Sequence, residues 1–307
     1  MRIVVALGGN ALLHRGERPD ADVQQTNIDR VATAIAALAQ EHEVVVTHGN
    51  GPQIGLLAME SAADPALTAP YPLDLLGAQT EGMIGSLLAR TLRNALPGRR
   101  IAALVTHTLV RADDPAFGRP TKFVGQVYLR KPAEALARRY GWHIAKDGTG
   151  WRRVVPSPAP ERIVETETVH ELLLSGTLVV CAGGGGVPVT ADKDTGALTG
   201  VEAVVDKDLT AALLAEDLKA DFLLILTDVP CVYDGYGTPG QHPVLDATPA
   251  DLRRGGYPDG SMGPKAEAAA RFVERTGGLA AIGALDAAYE MVHGRSGTLV
   301  RPDLAVG

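Results

Sequence analysis

The sequence predicts an α/β sandwich built on a mainly parallel sheet. Three observations carry that prediction. Short apolar runs rich in β-branched residues recur at 3–7, 44–47, 101–105, 178–181, 203–205, 222–226 and 279–282. They barely alternate between apolar and polar, which is the pattern of strands covered on both faces. Segments of helical periodicity lie between them, and strand–helix alternation along a whole chain favours parallel strands joined by crossover helices.

The elements follow in order. The first run, "RIVVAL", is too short for the apolar core of a signal peptide and reads as a strand. Over 23–40, Ile28, Val31, Ile35 and Leu38 fall on one helical stripe. Residues 74–95 read as a longer helix with Asp74 near its start, and 208–218 and 263–276 as two more. Residues 111–160 break the rhythm. They hold Pro115, Pro120, Pro132, Pro156, Pro158 and Pro160 and both tryptophans, Trp142 and Trp151. This segment is expected to leave the main body as a small subdomain or lid. Residues 228–260 read as a long loop region with one short helix, and long irregular segments in compact domains tend to be functional.

The bulk numbers narrow the class. A chain of 307 residues, 46% hydrophobic, fits one large domain or two smaller ones. A formal charge of -7 with both signs well mixed argues against nucleic-acid and membrane-surface partners. No apolar run approaches the roughly 20 residues that span a bilayer. Cys181 and Cys231 lie in or beside apolar runs without metal-site spacing, so they are expected to be buried thiols of a cytoplasmic protein.

Three predicted strands end in bare backbone. Gly8, Gly9 and Asn10 follow the first; Gly49, Asn50 and Gly51 follow the second, with Pro52 placed to open a helix; Gly183, Gly184, Gly185 and Gly186 follow the run "TLVVCA". In an open parallel sheet those carboxyl ends share one edge, where ligands bind. Glycine turns that lead into helix N-termini make anion cradles. The phosphate-loop pattern is absent. "GYGTPG" at 235–240 has the spacing of a dinucleotide fingerprint, but it contains Pro239 and no helix pattern follows. "DKDTGALTG" at 192–200 reads as a solvated turn. His48, beside the second glycine turn, is the one histidine of interest.

Two lysines stand where helix physics disfavours them. Lys207 and Lys265 each fall in the first turn of a predicted helix, where a cation opposes the dipole by roughly 0.3–1 kcal/mol. A larger negative charge held between them, such as a nucleoside triphosphate, would explain both. Asp206 and Asp208 flank Lys207, one to cap the helix and the other to hold the lysine side chains. A third lysine, Lys122, lies in the 111–160 excursion.

The strings "VVALGGNAL", "HGNGPQIG", "PTKFVG", "GWRRVVPSP", "GGGGVPV", "GVEAVVDKDL", "LTDV" and "GSMGPK", in this order, resemble the carbamate kinases of the amino-acid kinase superfamily. The resemblance runs from residue 3 to about residue 275. It implies a three-layer αβα sandwich on an open, about eight-stranded sheet, with the excursion as a protruding subdomain, in a homodimer. It implies reversible phosphoryl transfer between MgATP and carbamate, giving ADP and carbamoyl phosphate. In cells that reaction would run toward ATP in arginine, agmatine or allantoin breakdown.

The resemblance also assigns regions and residues. Residues 1–217 would hold carbamate and 218–307 the nucleotide, with 111–160 as a lid over the carbamate side. Lys122, Lys207, Asp208 and Lys265 would be catalytic. Gly8, Gly9, Asn10, Gly49, Asn50, Gly51 and the tetraglycine would meet carbamate and the transferred phosphoryl group, the tetraglycine through its N–H groups. Thr227, Asp228, Tyr233, Ser261 and Met262, with Lys207 and Lys265, would border the nucleotide. Magnesium would be held by the nucleotide phosphates, with no protein metal site. Many superfamily relatives carry a lysine two residues before the first glycine turn. Here that position is Ala6, and Lys122 would supply the charge. Two other readings stay open: a kinase of this fold with another acid or phosphate acceptor, and a non-catalytic nucleotide-binding regulator.

Overall fold

The computed structural model describes residues 1–14, 17–258 and 260–303; the side chain of Asn10 lies outside the described set. Eight strands form the main sheet, in the order Asp246–Ala247, Thr298–Val300, Leu279–Ala284, Phe222–Thr227, Arg2–Leu7, Glu43–His48, Leu178–Val180, Ile101–Ala103. All neighbours run parallel except Leu279–Ala284 against Thr298–Val300.

The central strand shows why this sheet needs two helical layers. Val5 sits in register with Val46 on one side and Leu224 on the other. Ile3, Val5 and Leu7 pack with Val31, Ile35 and Leu38 of helix Ala21–Glu41 and with Ile84 and Leu88 of helix Leu73–Ala95. Val4 and Ala6 face the opposite layer, with Leu214 of helix Lys207–Asp217 and Phe272 of helix Met262–Thr276. A run of consecutive apolar residues is what a strand covered on both faces requires. Asp74 in the first turn and Arg93 in the last turn of Leu73–Ala95 complement the helix dipole.

Within 111–160, strands Lys122–Tyr128, Gly150–Val155 and His143–Asp147 form their own antiparallel sheet, covered by helix Arg130–Tyr140. Gly141 ends that helix at φ 69, a left-handed cap open to glycine. The Tyr140 hydroxyl donates to the Ala62 carbonyl at 2.9 Å, tying the excursion to helix Gly51–Ala63. A further four-stranded sheet, Leu198–Gly200, Val187–Ala191, His107–Val110, Pro160–Ile163, lies apart from the main one.

Two strand expectations differ. Residues 203–205 pair with no strand; the Val204 N–H donates instead to Pro156 O at 3.0 Å, next to the excursion. The 101–105 run pairs only over Ile101–Ala103. The 228–260 region carries a short hairpin, Val232–Asp234 with His242–Val244, and helix Pro249–Arg254, opened by a Thr248–Asp251 capping box. The parallel strands ending at Leu7, His48, Val180 and Thr227 place their following turns on one edge.

Candidate active site

Helix Lys207–Asp217 opens under an acidic clamp. Asp206 is its N-cap: Oδ1 accepts from the N–H groups of Asp208 at 3.0 Å and Leu209 at 3.2 Å. Its second oxygen accepts from Lys122 Nζ at 2.8 Å, so the excursion reaches the helix start through one ion pair. Asp208 takes the other task. Oδ1 accepts from Lys207 Nζ at 2.5 Å and Oδ2 from Lys265 Nζ at 3.2 Å.

All three side chains are sheltered, with Asp208 only 4% exposed. Burial alone would raise the Asp208 pKa, but the Lys207 and Lys265 ammonium groups hold it well below the usual carboxylate range. Burial pushes Lys207 down, Asp208 opposes that, and Lys265 adds to it. One carboxylate between two ammonium groups leaves a surplus positive charge in a low-dielectric place, which favours an anionic ligand.

The glycine turns meet at this edge. A Cβ on Gly49 would lie 2.7 Å from Gly9 N, so the first two turns touch. The tetraglycine packs behind them. A Cβ on Gly183 would fall 2.3 Å from His48 Nε2, and one on Gly184 2.1 Å from Asn50 Nδ2. Gly184, Gly185 and Gly186 have φ of 66, 96 and 78, a backbone that L side chains rarely adopt.

Three of the four N–H groups of this turn are engaged within the protein. The N–H groups of Gly183, Gly185 and Gly186 donate to Glu81, Ala182 O and Gly183 O, which leaves Gly184 N–H as the donor of this turn that could meet a small acid. The side chains of His48, Asn50 and Thr108 leave no room for a Cβ at Gly183, Gly184 and Gly186, and the Val205 carbonyl leaves none at Gly185. The N–H groups of Gly8 and Gly49 are likewise spent, on Leu226 O and Leu7 O, where they extend the sheet ladder. Helix N-termini leave their first donors without intrahelical acceptors. That directs attention to Gly51, the exposed first residue of helix Gly51–Ala63.

His48 is fully buried. Nδ1–H donates to Gly49 O at 3.0 Å, and Nε2 has no hydrogen-bond partner among the described residues. Burial lowers its pKa to about 4, so the ring is neutral near pH 7. Burial pushes the Glu81 carboxyl up to about 8, against donors from Thr106 and Gly183.

The two shifts act in opposite senses. Stability that depends on neutral His48 is full above its ordinary value of 6.5 and falls away toward pH 4. Stability that depends on protonated Glu81 is full below its ordinary value of 4.5 and is lost as pH rises through about 8. Between pH 6.5 and 8 only the Glu81 contribution of the pair changes. Denaturant unfolding is expected to show a loss of up to about 2 kcal/mol across that window. Glu81→Gln should flatten the profile; an equally steep loss in that variant would exclude Glu81 as its source.

A cleft of about 640 Å³ opens in front of the first turn. It is lined by Gly8, Gly9, Thr227, Asp228, Tyr233, Ser261, Met262 and Lys265, eight of the anticipated residues. Lys207 does not line it and connects to it through Asp208. Tyr236 and Tyr257 also line the cleft and were not anticipated; Tyr257 donates to Asp234 Oδ1 at 2.8 Å. Glu81 too was not anticipated. A signal existed: it falls on the buried stripe of its helix with Leu73, Leu76, Gly77, Thr80, Ile84 and Leu88, an unusual place for a carboxylate.

Residues 1–282 match the amino acid kinase family. The carbamate kinase of Rhizobium meliloti (strain 1021) is 50% identical over 302 residues, covering 98% of this chain and 93% of the relative. The carbamate kinase of Haemophilus influenzae is 47% identical, covering 98% and 96%. Among solved structures, carbamate kinase from Giardia lamblia bound to AMP-PNP superposes with a TM-score of 0.90 at 36% identity, covering 98% of each chain.

Proposed function

Because the chain belongs to the amino acid kinase family, and within it to the carbamate kinases, we propose that it moves a phosphoryl group reversibly between ATP and carbamate. The products are ADP and carbamoyl phosphate. The observation that carries this reading is the buried Lys207–Asp208–Lys265 cluster. Two ammonium groups from the first turns of separate helices converge where charge on a transferring phosphoryl group would need neutralising. The attacking oxygen of carbamate is already anionic, so no general base is required. Catalysis then reduces to alignment and electrostatic stabilisation.

In this reading the cleft bordered by Thr227, Asp228, Tyr233, Ser261 and Met262 takes the nucleotide, and residues 218–307 form its lobe. Residues 1–217 form the acceptor lobe. Gly9, with the backbone of Asn10, meets the phosphoryl group, and Asn50 and Gly51 meet carbamate. Magnesium travels with the nucleotide. Among the described residues no three His, Cys, Asp or Glu side chains converge on a metal position. The sheltered carboxylates Asp206 and Asp208 are engaged with lysines. The ion's ligands would be phosphate oxygens and water, and it would neutralise phosphate charge.

Residues 111–160 act as the lid. With carbamoyl phosphate bound, Lys122 would exchange its Asp206 partner for the anion. Lys122→Ala is expected to raise the KM for carbamoyl phosphate by about tenfold or more, the effect of losing one charged donor, while the KM for ADP changes little. Equal responses to both substrates would remove the lysine from the acceptor site.

The physiological direction in this reading is ATP synthesis during nitrogen-compound breakdown, in the cytoplasm, by a homodimer. Among the described residues no helix is long and apolar enough to cross a membrane. Val105, exposed and two residues past the sheet-edge strand Ile101–Ala103, offers an apolar contact between subunits. The deciding experiment is ATP formation from ADP and carbamoyl phosphate, with and without magnesium, beside carbamate, acetylglutamate and aspartate as acceptors in the reverse direction. Absence of magnesium-dependent ATP formation would overturn the proposal. Preference for either amino acid would move the chain to another acceptor.

A further inference from the structure

Two adjacent residues of one helix hold the second and third glycine turns. Thr80 and Glu81 lie on helix Leu73–Ala95, 0% and 2% exposed. Asn50 is the N-cap of helix Gly51–Ala63, where an asparagine side chain ordinarily caps and contributes about 1 kcal/mol. Here it makes no capping bond. Its Nδ2 donates instead to Thr80 Oγ1 at 2.9 Å, and Thr80 Oγ1 donates to Gly77 O at 2.8 Å. The same amide packs against Gly184, which has no room for a Cβ.

One position on, Glu81 Oε1 accepts from Gly183 N at 2.9 Å and from Thr106 Oγ1 at 2.7 Å. Oε2 lies 3.2 Å from Thr106 N. Thr106 Oγ1 accepts in turn from Ala182 N at 2.9 Å.

We infer that Thr80 and Glu81 are positioning residues for the carbamate side of the site, acting through Asn50 and the tetraglycine turn. The inference rests on the assignment of Asn50 to carbamate in the proposed function. Two neighbouring residues of a rigid helix refer both turns to one backbone, so their separation is set by helix geometry and not by loop entropy. Thr80 draws the Asn50 amide away from its own helix. Glu81 fixes the turn against which that amide packs. A displacement of about 1 Å in such a site can cost about 100-fold in rate.

The test is steady-state ATP formation with carbamoyl phosphate and ADP varied separately, on folded protein, for Asn50→Ala, Thr80→Val, Thr80→Ser and Glu81→Gln. Valine keeps the bulk of Thr80 and removes the acceptor; glutamine leaves one acceptor oxygen for three donors. Thr80→Val and Glu81→Gln are expected to raise the KM for carbamoyl phosphate at least about fivefold, with the KM for ADP within about twofold. Thr80→Ser should restore the wild-type value. If Glu81→Gln does not fold, the valine and serine pair decides. An effect of Asn50→Ala with none from Thr80→Val overturns the positioning role alone. Wild-type KM for carbamoyl phosphate in Asn50→Ala overturns both that role and the assignment of Asn50 to carbamate. Equal rises in both KM values, or failure of serine to restore function, reduce Thr80 and Glu81 to structural supports.

Discussion

Lys207→Ala and Lys265→Ala are each expected to lower turnover by at least about 100-fold with the fold retained, the scale of losing one preorganised charged donor. The geometry argues for this size. Asp208 is buried and its oxygens are divided between the two ammonium groups, Oδ1 to Lys207 and Oδ2 to Lys265. Removing either lysine subtracts one positive charge and leaves the other paired one-to-one with Asp208. The surplus charge that would attract phosphate oxygens disappears. An arginine in either place would keep the charge but not the point geometry, so Lys→Arg should rescue poorly. The check is turnover in the ATP-forming direction at saturating substrates, beside a denaturation curve. Wild-type-like turnover in either alanine variant would remove that lysine from the reaction.

Gly184→Ala should have the next largest effect, and it acts through space rather than charge. At φ 66 an alanine is strained, and its Cβ would lie 2.1 Å from Asn50 Nδ2. Strain and overpacking together are expected to cost about 2–4 kcal/mol of stability. They should also displace Asn50 and abolish most use of carbamoyl phosphate. Gly118→Ala is the control, because a Cβ there meets nothing within 4 Å. Denaturant unfolding of both variants measures the difference. A Gly184→Ala protein as stable and active as Gly118→Ala would show that the turn relaxes freely.

The layered fold was legible because it follows from local pattern. Apolar runs such as "RIVVAL" fit strands buried on both faces, and the stripe Ile28, Val31, Ile35, Leu38 fits a helix facing them. The run at 203–205 misled for the same reason: local pattern marked it as a strand, but its N–H group at Val204 bonds to Pro156 of the excursion. The lysines were legible from their conflict with the helix dipole, a property of position along the chain.

The tetraglycine was conspicuous in the sequence, but its reason was not. Bare backbone signals close approach without saying what approaches. The partners are His48, Asn50, Thr108 and the Val205 carbonyl, which no spacing rule connects to the turn. Glu81 was hidden for a related cause. A carboxylate on a buried stripe announces a partner, but only the assembled fold brings Gly183 and Thr106 to it.

By itself, then, the sequence determined the class of fold, the edge of the sheet where the glycine turns gather and the charged residues that open two helices there. Periodicity, turn chemistry and capping are local and survive reading one residue after another. Tertiary structure alone decided that Asp206 caps while Asp208 clamps, that Lys122 crosses from the excursion to the helix start, and that most glycine N–H groups are spent inside the protein. Those outcomes depend on which donors and acceptors burial leaves within about 3 Å of each other, and that distance is settled only when the layers close.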